Sequence, residues 1–254
     1  MIKKVTRSQL RGKHMNIPLI RYNLKYYGKT PNSAAPILAF AVFFFINYQA
    51  VNSPIWSNYY ITAMGIFVMS NWIAVSFINS EEKTQQWITR LHVRNDTAFH
   101  IAKIIAILVF MIPFYMMMVC YPLLVGMFIR SLTFAEIAII FTIHFLFSLM
   151  GTAIGILFNA DLHNIKNDYV IPLHVLIIFG VAMPWASIFE NNILIRYAVF
   201  LLPPVNFLAQ SMHTLGDGVY RLDFNFMVFV LYALGYSMLL MVVYFLVIHK
   251  RSRR

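Results

Sequence analysis

NSEEKTQQWITRLHVRNDTAFHIAK, residues 79–103, decides how this chain is organised. It carries seven charges (Glu81, Glu82, Lys83, Arg90, Arg94, Asp96 and Lys103), whereas residues 59–78 before it and 104–129 after it carry none. A polar island between apolar runs of that length marks a point where the chain leaves a low-dielectric layer, meets water and turns back. Within the island Trp87, Ile88, Leu91 and Phe99 recur at roughly helical spacing, with Glu81, Glu82, Gln85, Gln86, Thr89 and Arg90 between them. The pattern predicts a short amphipathic helix over 79–100, lying at a membrane surface with a mixed face toward the water.

Composition agrees with that reading. Of 254 residues 60% are apolar and 11% charged, against about 25% charged in soluble domains, and the mean hydropathy is +0.70. This is the composition of an integral membrane protein. The single cysteine, Cys120, sits in an apolar run and excludes a disulfide framework or a cysteine metal site. A net charge of +11 in a soluble protein points to nucleic acid. Here the basic residues are placed to orient a protein in a bilayer, and no nucleic-acid partner is expected.

Six stretches are long enough or nearly long enough to cross: 34–51, 59–78, 104–129, 134–158, 169–189 and 224–248. A seventh, 193–215, is interrupted by Pro203 and Pro204, which remove two backbone donors and disfavour a straight span. With six spans, 17 of the 20 Lys and Arg residues fall on one side, leaving Arg130, Arg196 and Arg221 on the other. The positive-inside rule then puts both termini, the island and the loop 159–168 in the cytosol. The expected fold is therefore all-α, with residues 1–33 as a basic arm plus amphipathic helix and 34–254 as one six-span domain. No cleavable signal peptide is expected.

Smaller signals follow along the chain. Asn16-Ile17-Pro18 reads as a helix start, with Ile17, Ile20, Leu24 and Tyr27 on one face and Arg21, Lys25 and Lys29 on the other. Thr30-Pro31-Asn32 ends that helix. Asn47 and Asn71 are polar positions in or near the first two spans, and Asn71, mid-span, is expected to face a helix or a wet cavity. Pro113 and Pro122 predict kinks in the third span, beside the adaptable cluster Met116-Met117-Met118. Gly151-Thr-Ala-Ile-Gly155 is a small-xxx-small face, for packing within the chain or between subunits. His144 and His174 lack a second ligand at helical spacing and are expected to be hydrogen-bonded packing residues. Around Pro203 and Pro204, residues 190–222 read as short re-entrant helices on the outer side.

The search for chemistry is negative. There is no GxxxxGK[ST], no HExxH, no Gly-x-Ser-x-Gly and no carboxylate pair within a span. The chain itself is not expected to be an enzyme or to bind a cofactor or metal. Ion-coupled transport usually needs a buried carboxylate. With only nine acidic residues, at or outside the predicted membrane boundaries, that class is weaker. Work against a gradient would then draw its energy from another subunit.

Topology and island together resemble the ABC-2-type permease family. The shared features are six spans with cytosolic ends, a basic amphipathic helix before span one and a broken hydrophobic segment before span six. Between spans two and three the family has an acidic pair, a Lys-Thr, an apolar helix and a basic residue opening the next span. Here these are Glu81-Glu82, Lys83-Thr84, Trp87-Ile88-Leu91 and Lys103. Where the family usually has a proline-containing turn, this chain has Val93-Arg94-Asn95-Asp96. The resemblance implies a permease subunit of an ATP-driven exporter in a bacterial cell membrane. A separate ATPase subunit would hold ATP and Mg, and a second permease copy, identical or not, would complete the path. It further implies a coupling helix in which Glu81, Glu82, Lys83, Gln86, Trp87, Arg90 and Leu91 meet the ATPase. Ile17, Ile20, Arg21, Leu24 and Lys25 would belong to an elbow helix, and residues 159–168 to a second contact. Asn47, Asn71, Met116 and Met117 are candidates for lining the cavity. Within the family the chain is most similar to permease subunits of phenol-soluble modulin exporters, which implies amphipathic helical peptides as cargo. ATP-driven closure would move the coupling helix and rock spans one, two and five. The rival expectations are an ATP-independent channel or secondary transporter for a small solute, and a non-transporting membrane scaffold or polytopic enzyme, the enzyme disfavoured by the lack of a catalytic constellation.

Overall fold

The computed structural model of the chain describes residues 16–49, 54–93, 95–159, 218 and 224–252. The basic arm, the loop beyond Asn159, the stretch 169–189 with His174, and the segment 190–222 apart from Gly218 lie outside the described residues. Among the described residues the structure is all-helical. Its elements are α1 (Asn16–Lys29), α2 (Ala34–Asn47), α3 (Ile55–Asn79), α4 (Lys83–Val93), α5 (Asp96–Val125), α6 (Phe134–Gly155) and α7 (Phe224–Ser252), with 3-10 turns at Pro31–Ser33 and Ile156–Phe158.

Four helices, α3, α5, α6 with its 3-10 extension, and α7, are each long and apolar enough to cross a bilayer, which makes this a multi-pass membrane protein. The first span expected at 34–51 is shorter than anticipated. α2 has 14 residues, a rise of about 21 Å against about 30 Å of hydrocarbon. It reaches spanning length only together with α1, from which it turns by 80°. The bend lies at Pro31, which cannot continue the α1 hydrogen-bond ladder. The Tyr27 carbonyl is served instead by the Thr30 N–H at 3.0 Å and the Thr30 hydroxyl at 2.8 Å.

α3 and α6 form the centre. Thr62 meets His144, Gly151 lies against Phe67 and Ser70, and Gly155 against Asn71 and Ala74, so the two helices run parallel in one register. A Cβ at Gly151 would fall on the Phe67 carbonyl, and one at Gly155 would stand 2.6 Å from the Asn71 carbonyl oxygen. The small-xxx-small face is thus spent inside the chain, on near backbone-to-backbone packing. His144 is buried and donates from Nδ1 to the Ile140 carbonyl at 2.8 Å, leaving Nε2 to accept the Thr62 hydroxyl at 3.0 Å.

α5 runs antiparallel to this pair, placing Glu81 beside Lys103 at one end and Tyr59 beside Val119 at the other. Pro113 and Pro122 both sit inside the continuous α5 helix. Pro122 has no N–H for the Met118 carbonyl one turn back. Tyr48, just past α2, donates its hydroxyl to that carbonyl at 2.5 Å, and Tyr59 of α3 donates to the Val119 carbonyl at 3.2 Å. The acceptor released by proline is therefore satisfied from a neighbouring helix, as a backbone group away from water must be. α5 and α7 are peripheral, with Ile105, Val109 and Ile112 of one and Leu231, Leu239 and Leu246 of the other facing outward.

Candidate functional site

The polar island folds as two helices rather than one. α4 ends at Val93, and Asn95 in extended backbone (φ −145°) starts α5, its Oδ1 accepting the Ala98 N–H at 3.1 Å. An Asn cap with Asp96 in the first turn sets the boundary here, through side-chain capping and the helix dipole. Phe99, which shares the helical spacing of Trp87 and Leu91, belongs to α5. The helix expected over 79–100 is thus cut to 83–93.

The two faces of α4 differ sharply. Outward lie Glu82, Lys83, Trp87, Ile88, Leu91 and His92, with Trp87 65% and Leu91 56% exposed. Inward lies a polar network. Glu81, just before α4, is buried, and its Oε1 accepts the hydroxyls of Tyr22 and Thr89, each at 3.3 Å. Its Oε2 lies 2.9 Å from Nζ of the equally buried Lys103, as an ion pair rather than an aligned hydrogen bond. Gln86 is buried too, donating to the Glu81 carbonyl at 3.0 Å. Of the seven residues expected to meet a partner, Glu81 and Gln86 therefore face the bundle, Arg90 is half-buried, and Glu82, Lys83, Trp87 and Leu91 face out.

The network reaches several elements. Gln85 donates to the Tyr22 hydroxyl at 3.2 Å, tying α4 to α1. Burial raises the Tyr22 pKa above its ordinary value against a lowering by Gln85, so the hydroxyl stays a protonated donor to Glu81. Arg90 and Lys103 stand over the Phe99 ring at 5.2 and 4.7 Å, cation–π distances. Arg90 also approaches Nε2 of the buried His100 at 3.4 Å. His100 Nδ1 lies 2.9 Å from the Tyr244 hydroxyl of α7, which accepts from Asn159 Nδ2 at 3.3 Å.

α1 packs through Leu19, Asn23 and Tyr27, three positions four residues apart, with Ile20 and Leu24 half-buried beside them and Arg21 and Lys25 exposed. The buried face is rotated from the expected one, leaving Ile17 72% exposed. The four cavity candidates do not share one environment. Met116 and Met117 face outward on α5, and Asn47 is half-buried. Asn71 is fully buried beside the α3–α6 seam, and neither atom of its side-chain amide finds a partner among the described residues. Among the described residues the helix beside it is α6, whose Gly155 lies against the Asn71 backbone.

At the opposite end a second cluster escaped the sequence reading. Arg130 grips the buried Glu136 with two bonds of 3.0 and 2.6 Å, and donates to the Gly218 carbonyl at 2.9 Å. Trp56 Nε1 donates to the same carbonyl at 2.7 Å. Glu136 also closes a capping box with Thr133 at the start of α6. The signal was present as Thr133-x-x-Glu136 before an apolar run. Among the described residues no three His, Cys, Asp or Glu side chains come together to hold a metal. Compared with known proteins, the chain matches no family model and no curated relative.

Proposed function

We propose that the chain is the membrane subunit of an ATP-driven exporter of the ABC-2 type, with α4 as the helix on which a separate ATPase subunit docks. The observation that carries this reading is the two-faced character of α4. Its inner face is fastened by Gln85 to Tyr22, by Thr89 to the Glu81 carboxylate and by Arg90 to His100, while Trp87, Ile88 and Leu91 stand free of the bundle beside Glu82 and Lys83. A rim of charge around two or three large apolar anchors suits a partner groove. The anchors are Trp87 and Leu91, and Glu82 supplies a charge at the rim. ATP and Mg bind the partner, a second permease copy completes the path, and α1 serves as the elbow helix at the cytosolic surface of a bacterial membrane. The cargo is an amphipathic helical peptide, in keeping with the chain's 23 Phe, 14 Tyr and 15 Met.

The test is purification of the tagged chain from its native cells in mild detergent. A stoichiometric ATPase that is retained by the wild type and lost with Trp87→Ala and Leu91→Ala supports the reading. ATP-dependent movement of a fluorescent amphipathic peptide in vesicles holding both subunits supports the cargo. A chain that purifies without an ATPase and moves solute in response to an ion gradient would replace this reading with a channel or secondary transporter.

A further inference from the structure

We propose that His100 and Tyr244 form a relay that couples α4 to the last span, α7, so that docking on α4 is felt there as well as in the adjoining spans. This rests on α4 being the docking helix. The chemistry of the contacts sets the relay's direction. A guanidinium can only donate, so His100 Nε2, 3.4 Å from Arg90, is the acceptor and the hydrogen resides on Nδ1. Nδ1–H then donates to the Tyr244 oxygen at 2.9 Å, and the ring links a donor on α4 to an acceptor on α7 as one neutral tautomer.

Two further observations single out this point. α7 is mostly peripheral, yet Tyr244 is fully buried, packed edge-on against the His100 ring at 5.6 Å. Its hydroxyl also takes the amide of Asn159, which caps the 3-10 extension of α6, so α5, the end of α6 and α7 meet at one oxygen, and α4 is joined to it through Arg90 and the His100 ring. A movement of α4 that withdraws Arg90 leaves Nε2 buried beside no donor, which the ring answers by turning and releasing Tyr244. The relay thus has a joined and a parted arrangement, as transmission between sites requires. His100 and Tyr244 act here as positioning residues.

The experiment uses the full chain purified with its ATPase and reconstituted in vesicles, comparing wild type with Tyr244→Phe, which deletes one oxygen, and with His100→Asn, which keeps an amide on the Tyr244 side and gives up the Arg90 side. Expected is unchanged ATPase co-purification, ATP hydrolysis that no longer responds to peptide, and peptide transport lowered about ten-fold or more. An environment-sensitive fluorophore at a Lys250→Cys position, in a Cys120→Ser background, should respond to ATP in the wild type and fall silent in both variants. Transport and fluorophore response unchanged in Tyr244→Phe, with the ATPase still bound, would overturn the relay and leave the docking reading standing. No ATPase on the wild-type chain would overturn the docking reading and the relay with it.

Discussion

The two ends of the bundle each bury one carboxylate against one cation, and they do so in opposite ways. At the far end Arg130 and Glu136 are six residues apart, and the same carboxylate accepts the N–H and hydroxyl of Thr133. Among the described residues, the partners other than Gly218 and Trp56 come from a single turn into α6. At the α4 end Glu81 is joined to Lys103, to Tyr22 of α1 and to Thr89 of α4. The neighbouring Arg90–His100–Tyr244–Asn159 chain brings in α5, the cap of the 3-10 extension of α6, and α7. A local clamp fastens one corner and leaves helices free to move elsewhere. A distributed network makes the position of one small helix depend on most of the bundle.

That contrast can be broken from either side. The largest effect is expected for Lys103→Met, which strands Glu81 as a buried, uncompensated charge. A loss of about 3–5 kcal/mol should appear as a large fall in thermal stability in detergent. The double variant Glu81→Leu, Lys103→Met should recover most of it, since replacing both members of a buried pair by apolar groups is often neutral. Arg130→Gln should cost less, about 1–3 kcal/mol, because Arg130 is partly exposed where Lys103 is buried, so water can reach the place it leaves, and Glu136 also keeps a backbone N–H from Thr133. A loss there equal to that of Lys103→Met would erase the distinction between clamp and network. Tyr48→Phe should cost about 0.5–1.5 kcal/mol by uncovering the Met118 carbonyl. In a Pro122→Leu background, where a backbone N–H returns to that carbonyl, the same substitution should cost much less. Smallest of all is Trp87→Ala, expected within about 0.5 kcal/mol of wild type because the indole touches little of the chain. Its effect should appear only in ATPase association, and a substantial loss of stability would mean that this face packs inward.

What the sequence made legible follows from which forces act locally. The apolar runs at 59–78, 104–129, 134–158 and 224–248 fall on α3, α5, α6 and α7 because hydrocarbon thickness demands helices of that length. The helix ends were less legible: α5 starts at Asp96, eight residues before its apolar run, since Asn95 caps it and the first two turns bury Phe99, His100 and Lys103 in the network. α4 was visible as an amphipathic stretch, but which of its polar residues face in was not. Glu81 and Glu82 are neighbours of the same type, and only the position of Lys103, 22 residues on and brought back by the turn at Asn95, separates them. Tyr244 gave no signal at all among 14 tyrosines, because its partners lie on elements distant in sequence. The Thr133–Glu136 box could have been read directly.

The glycine contact between α3 and α6 has a mechanical consequence. Where side chains interdigitate, helices can slide by re-choosing rotamers. Where Gly151 and Gly155 lie on the Phe67 and Asn71 backbone there is no such upholstery. A slip between the two helices would have to jump a full turn, about 5.4 Å, dragging Thr62 off His144 as it went. The pair is therefore one rigid unit, so that any tilt of α3 carries α6 with it.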